Sequence, residues 1–325
     1  MEIIKPIYSV IIPLYNKAQY IRKARESVVA QTYKNWELII VDDGSTDDSA
    51  LIAEKYLKNI KHQTSNIIHQ KNAGVAAARN NGVKASKGDY VAFLDADDWW
   101  EPTFLEEINK LIAEYPDAGL YATNYIYYKP GKTHVALNLQ RGYINYPDAY
   151  FHSRQMPVTS ITTCMPRRVF DEMEGFPVGI RLGEDFLLWA KTAIHYPVAF
   201  CEEPLAYYNN DIPASVRATR NLHKPEHHML FNLSAIEYEI EHSVISSQQS
   251  DLWKALLDKL RVNGLMEFWL SGIYHKAAEE ELKKVDWSKQ PHAVISRYKK
   301  PIWLQKFCLN LMKVGSYLKQ KLIRK

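Results

Sequence analysis

Apolar and polar residues alternate in blocks along the first 100 positions. Ile7–Pro13 is a short apolar, β-branched run that predicts a buried strand. Lys17–Gln31 places Tyr20, Ile21, Ala24, Val28 and Gln31 at helical spacing. Trp36–Val41 reads as a second buried strand. Ser45-Thr46-Asp47-Asp48 offers an N-cap and an acidic first turn to a helix reaching about Lys58. Asn66–His69 is a weaker strand, Ala73–Ala85 an Ala-rich helix followed by Gly88, and Asp89–Leu94 a fourth strand. This order predicts a largely parallel sheet covered by helices, with ligands at the carboxyl ends of its strands. A helix follows Glu101-Pro102 to about Glu114. The 118–215 region mixes strand-like Gly119–Tyr128 and Val198–Tyr208 with a helical stretch near Asp185–His195. From Pro225 the pattern turns helical, over Glu226–Val244, Asp251–Tyr274 and Ile302–Ile323. A division is therefore expected near residue 220, between a 1–220 α/β domain and a helical 221–325 region.

Composition narrows the class. The chain has 325 residues, 46% of them apolar and 24% charged, ordinary values for a globular protein with a sizeable core. No apolar run approaches the roughly 20 residues that span a bilayer. The N-terminus shows no signal-peptide pattern, and three scattered Cys (Cys164, Cys201, Cys308) suit a reduced compartment, so a cytoplasmic protein is expected. The net charge is +4, unevenly spread. Residues 299–325 hold eight basic residues and no acid, leaving 33 basic against 37 acidic residues elsewhere. A mildly acidic body argues against a nucleic-acid binder. The basic tail points instead to an anionic membrane surface.

Two acidic clusters fall at predicted strand ends, Asp42-Asp43-Gly44-Ser45 and Asp95-Ala96-Asp97-Asp98. Carboxylate oxygens are hard ligands for Mg2+ or Mn2+, ions that usually complete their shell with substrate phosphates and water. Asp pairs after strands also form turns and N-caps. Three acids in one turn repel each other, a cost that a bound cation relieves. There is no G-x-G-x-x-G after the first strand, no P-loop, no H-E-x-x-H and no serine nucleophile elbow. Instead the first strand runs into Pro13-Leu14-Tyr15-Asn16, with an aromatic ring able to stack on a base.

Five blocks in order resemble the family 2 glycosyltransferases. They are Ser9-Val10-Ile11-Ile12-Pro13-Leu14-Tyr15-Asn16, Gln31-Thr32-Tyr33, Trp36 through Asp47, Asn72 through Asn80, and Gly88 through Asp98. The likeness covers about residues 1–215 and is densest in the first 100. It implies a GT-A fold, an α/β mixed sheet flanked by helices, with a nucleotide-binding half (1–100) and an acceptor-binding half (101–220). It further implies that Pro13 and Tyr15 line the base pocket and that Asp43 hydrogen-bonds the base. Arg79 would lie near the nucleotide or its phosphates, and Asp95 would face the ribose. Asp97 would hold a divalent cation, Mn2+ or Mg2+, with Asp98 as helper. Gly183-Glu184-Asp185 resembles the family's later acidic motif, which would make Asp185 the general base of an inverting transfer and Glu184 an orienting group. The late-loop His of many relatives has no counterpart in Tyr207–Arg217, where Asp211 or Arg217 is the candidate diphosphate contact. His195, His227 and His228 read as ordinary polar residues.

The resemblance thus implies transfer of a sugar from a nucleotide-diphosphate donor, most often UDP-linked, to a glycan or lipid-linked acceptor in bacterial surface-polysaccharide synthesis. Leu304, Cys308, Leu311, Gly315, Leu318 and Leu322 form a helical stripe in a basic tail, 302–325, that suits peripheral attachment to the inner face of the cell membrane. The same stripe also suits packing on the body or an oligomer contact. A sugar-nucleotide pyrophosphorylase would need a Gly-rich basic loop where Pro13-Leu14-Tyr15-Asn16 stands. A catalytically inactive, membrane-attached glycan-binding scaffold is the remaining alternative.

Overall fold

The computed structural model describes residues 7–57, 65–153, 155–213, 224–271, 274–291 and 295. The tail over 302–325 and Arg217 lie outside the described residues. The expected alternation opens the chain: β1 (Tyr8–Leu14), α1 (Ile21–Val29), β2 (Trp36–Asp42), α2 (Ser49–Leu57), β3 (Ser65–His69), α3 (Val75–Ala85) and β4 (Tyr90–Phe93). There follow β5 (Trp99–Trp100), α4 (Phe104–Glu114), β6 (Leu120–Tyr128), β7 (His134–Val135), β8 (Gly142–Ile144), α5 (Tyr146–His152), β9 (Thr163–Pro166), α6 (Arg167–Glu172), α7 (Glu184–His195) and β10 (Val198–Asn209). The later helices are α8 (Ser234–His242), α9 (Ser247–Ser271) and α10 (His275–Lys283).

The strands form one mixed sheet in the order β3-β2-β1-β4-β9-β6-β10-β5, with β7 on β6 and β8 on β10. The first four are mutually parallel, with Tyr8 opposite Trp36 and Leu14 opposite Asp42. β9 is antiparallel to both β4 and β6, so β6 and its parallel neighbour β10 run in the same direction as β1. The carboxyl ends of β1, β2, β4 and β10 therefore meet at one edge of the sheet. That edge is where the acidic clusters fall.

Burial explains why the first strands read so clearly. Every residue of β1 and β2 is buried, as the two-sided cover of a parallel sheet demands. Helix α3 lies close on them: a Cβ at Gly82 would strike Ile11 and stand 3.1 Å from Val41 Cγ2. On the side of α7, Phe93 of β4 meets Phe176 edge-on at 5.0 Å and Trp189 at 6.1 Å. Asn80 of α3 both donates to and accepts from the Phe176 backbone, at 2.8 and 2.9 Å. The segment leading into α7 is thereby tied to α3 and the parallel half of the sheet.

Two differences from the expected elements have clear causes. The predicted helix over Glu226–Val244 is instead two short 3-10 turns, Pro225–His227 and Met229–Phe231, before α8. The backbone there is used by tertiary partners: Arg181 N–H donates to His227 O, and Met229 N–H donates to Leu182 O. The chain also divides by packing into two units, Met1–Trp253 and Lys254–Lys325. Residues 225–253 thus pack with the first unit, where Trp253 stacks on Tyr146 at 5.7 Å. Within the second unit, Leu256, Leu257, Leu265, Ala278 and Leu282 are buried, and Arg261 pairs with Glu281 at 3.2 Å.

Candidate active site

The loop after β1 is fixed by the loop after β2. Asn16 takes a left-handed conformation (φ +50°), which its short polar side chain tolerates. Its Oδ1 accepts from Thr46 N–H at 2.8 Å, and its own N–H donates to Ser45 Oγ at 3.2 Å. Lys17 N–H donates to Ser49 Oγ at 2.7 Å, and Ala18 N–H to Asp47 Oδ2 at 3.2 Å. This clamp presents Tyr15, 46% exposed, at the mouth of a cleft along the carboxyl edge of the sheet.

Asp43 is buried at the end of β2, and its carboxylate accepts from Gln70 Nε2 (2.7 Å), Ala73 N–H (2.8 Å) and Gly74 N–H (2.9 Å). It shapes the turn that leads into α3, so the residue expected at the base also builds the pocket wall. Beyond β4, Asp98 N–H donates to Asp95 O at 3.0 Å, closing a turn that fans out Asp95, Asp97 and Asp98. Asp98 turns inward and accepts from Asn209 N–H at 2.7 Å, joining this turn to the end of β10. Asp97 Oδ2 takes the ammonium of Lys17 at 2.6 Å. Burial, then the neighbouring carboxylates, push Asp98 well above the usual carboxylate range. Asp97 is also raised, by burial and Asp95, against the opposing pull of Lys17.

Arg79 joins the two acidic sites. Its guanidinium is buried and donates to Asp95 Oδ1 and Glu184 Oε1, both at 2.7 Å. Burial alone would lower its pKa, but Asp95, Glu184 and Asp185 raise it overall. Breaking such a buried pair from one side typically costs about 3–5 kcal/mol, because a charge is left uncompensated. Gly183, in the left-handed region at φ +81°, turns the chain into α7. Asp185 follows in the first turn, where its Oδ1 accepts from Phe186 N–H at 2.8 Å and Ser160 Oγ stands 3.5 Å from Oδ2. Burial first, and Glu184 second, push its carboxyl up to about 7.

Pro13, Tyr15, Asp43, Arg79, Asp95, Asp97, Asp98, Glu184 and Asp185 all line this one cleft, which has a volume of about 630 Å³. Asp211 is exposed on the loop after β10 and is not among the lining residues, although Ile212 is. Lys17, Asn72, Arg181, Tyr208 and Asn209 also line it and were not anticipated. A signal for Lys17 and Arg181 was present, since each is a cation within four positions of a named residue, Tyr15 or Asp185. His195 pairs with Glu239 at 2.8 Å, and buried His228 accepts from Leu230 N–H at 3.1 Å, so both serve structure. Among the described residues, no group of three or more His, Cys, Asp or Glu side chains is arranged to hold a metal. What the cleft offers is hard oxygen donors, Asp95 and Asp97, crowded in one turn, which fits an ion that shares its shell with substrate oxygens.

The family model described as glycosyl transferase family 2 matches residues 9–171. Glycosyltransferase GlyA of Streptococcus pneumoniae is 44% identical over 36% of this chain and 16% of its own length. The putative glycosyltransferase EpsH of Bacillus subtilis is 42% identical over 34% of this chain and 32% of its own. The chain thus matches less than a third of the length of either relative. The structure of S. aureus TarS 1-349 in complex with UDP-GlcNAc superposes with a TM-score of 0.72 at 20% identity, over 88% of this chain and 82% of that one. The mannosyltransferase PcManGT of Pyrobaculum calidifontis, in complex with GDP-Man and Mn2+, gives a TM-score of 0.50 at 17% identity, over 89% of each chain. The expected mixed sheet flanked by helices is the fold matched in these structures, and in this chain helices α8 to α10 follow it, as expected.

Proposed function

This chain belongs to glycosyl transferase family 2, and from that premise we propose that it transfers a sugar, with inversion, from a nucleotide-diphosphate donor to a hydroxyl of a glycan or lipid-linked acceptor. The observation that carries the reading is the convergence of the strand-end acids and the Glu184-Asp185 pair on one cleft, joined through buried Arg79. Pro13 and the exposed ring of Tyr15 receive the base, with Asp43 holding the wall beside them. UDP is the favoured nucleotide, which the UDP-GlcNAc in TarS supports.

Asp185 takes the proton of the acceptor hydroxyl as its oxygen bonds to the anomeric carbon and the bond to the leaving diphosphate breaks. A carboxyl held near pH 7 suits that task better than one at the ordinary value, because it is a stronger base yet still ionised at working pH. Glu184, locked by Arg79, fixes the start of α7 and hence the place of Asp185. Asp97, with Asp95 beside it, would hold a divalent cation, whose chemistry is to offset charge on the leaving diphosphate. No helix among the described residues is long and apolar enough to cross a membrane. The apolar stripe in the basic sequence of 302–325 supports peripheral attachment to an anionic membrane, and with it a role in surface-polysaccharide synthesis.

Donor binding tests the reading. Calorimetric titration with UDP in the presence of Mn2+ should show saturable binding, weakened about tenfold or more in Tyr15→Ala through loss of base stacking. Absence of binding by any of UDP, GDP or dTDP would reject it.

A further inference from the structure

Lys17 sets its ammonium 2.6 Å from Asp97 Oδ2, and the two side chains are only 18% and 14% exposed. This is the carboxylate that the proposed function gives to a divalent cation. The contact is built rather than incidental. The backbone that carries Lys17 is clamped at Asn16, Lys17 and Ala18 by hydrogen bonds to Ser45, Ser49 and Asp47. The other carboxylates of the turn are engaged elsewhere, Asp95 by Arg79 and Asp98 by Asn209 N–H. Arg79 cannot change partners freely, because its guanidinium is buried between two acids. Lys17 can: a flexible four-carbon stem on a fixed backbone lets a compact ammonium move while its anchor stays in place. A divalent cation and an ammonium repel each other and compete for the same carboxylate oxygen. The cleft that Lys17 lines is also the one proposed to receive the donor's diphosphate.

Resting on the donor-site reading above, we propose that Lys17 is an exchangeable counter-ion. It neutralises Asp97 in the free protein, gives up that oxygen when a divalent cation arrives with the donor, and pairs instead with the diphosphate. Lys17 is thus a diphosphate-binding residue that also sets how weakly the empty site holds metal.

The test uses the full chain and two ligands. Mn2+ binding without nucleotide is measured by electron paramagnetic resonance, and UDP binding at saturating Mn2+ by calorimetry. Lys17→Met should bind Mn2+ alone several-fold more tightly and UDP about tenfold more weakly, the loss expected for one charge-assisted contact. Lys17→Arg, which keeps the charge, should stay near the parent in both. Lys17→Gln repeats the neutral test if Met folds poorly. These opposed shifts are the signature, because a merely structural lysine would weaken both or neither. Unchanged Mn2+ affinity, or shifts of the same sign, would overturn the proposal. Failure of the parent protein to bind UDP would instead overturn the donor-site reading, which separates the two.

Discussion

Asp97 and Asp185 face the same problem, a carboxylate withdrawn from water, and meet it differently. Asp97 has a lysine against it; Asp185 shows no ion pair among the described residues, and its proton affinity rises to about 7. The sign of the consequence follows from which form works. A general base acts when ionised, so log kcat/KM should climb with unit slope up to pH about 7 and flatten above. An acid limb centred near pH 4 would contradict the assignment. Stability runs the other way. The folded value lies above the ordinary 3.8, so ionised Asp185 costs stability above about pH 7, a cost that vanishes below about pH 4. Asp185→Asn should therefore raise the melting temperature at pH 8 and leave it unchanged at pH 4. The addresses of these residues were legible in the sequence, because strand-end acids and the family blocks mark them. Their partners were not. That Arg79 bridges Asp95 and Glu184 depends on positions 105 residues apart meeting in space.

At the scale of elements, the legible ones are those whose local pattern and tertiary role agree. β1 and β2 are continuous apolar runs because both faces are covered, and α4 buries one stripe, Phe104, Leu105, Ile108 and Leu111. The short strands β5, β7, β8 and β9 exist through pairing, with two to four residues each, and carry no periodic signal of their own. The Glu226–Val244 stretch has helical spacing, yet its first turns give backbone groups to Arg181 and Leu182. Those bonds hold the segment that aims Asp185. Gly183 is the pivot: its φ of +81° disfavours any side chain, and a Cβ there would run into Met229. Gly183→Ala should cost about 1–2 kcal/mol for the left-handed backbone alone. Because it displaces the start of α7, it should also lower kcat at least tenfold. UDP affinity should hardly change, since the loops after β1 and β2 are untouched. A matching loss in UDP affinity would show instead that the damage spreads through the whole cleft.

For the whole molecule, the sheet edge explains why distant parts of the sequence act together. The order β4-β9-β6-β10 passes through one antiparallel strand and returns to the direction of β1, so that Asn209 reaches Asp98. The half of the sheet built from β1 to β4 was legible from its alternation. Beyond it, β6, β10 and α7 were legible from their own runs, whereas the short strands β5, β7, β8 and β9 were not, because they are fixed only by pairing. The expected division near residue 220 rested on a cluster of polar residues, whereas the packing divides after Trp253, a residue buried against Tyr146. The basic tail belongs to this scale too. Ending the chain after Lys300 should abolish pelleting with anionic vesicles while leaving UDP affinity intact, and unchanged pelleting would reject membrane attachment. The central claim is that this cleft transfers sugar with Asp185 as base. Its most direct test is nucleotide release from a panel of UDP-, GDP- and dTDP-sugars with Mn2+ and candidate acceptors, comparing the parent protein with Asp185→Asn. The account predicts release from one donor, reduced by about 100-fold or more in the variant with donor affinity retained. Equal release by the variant would contradict it.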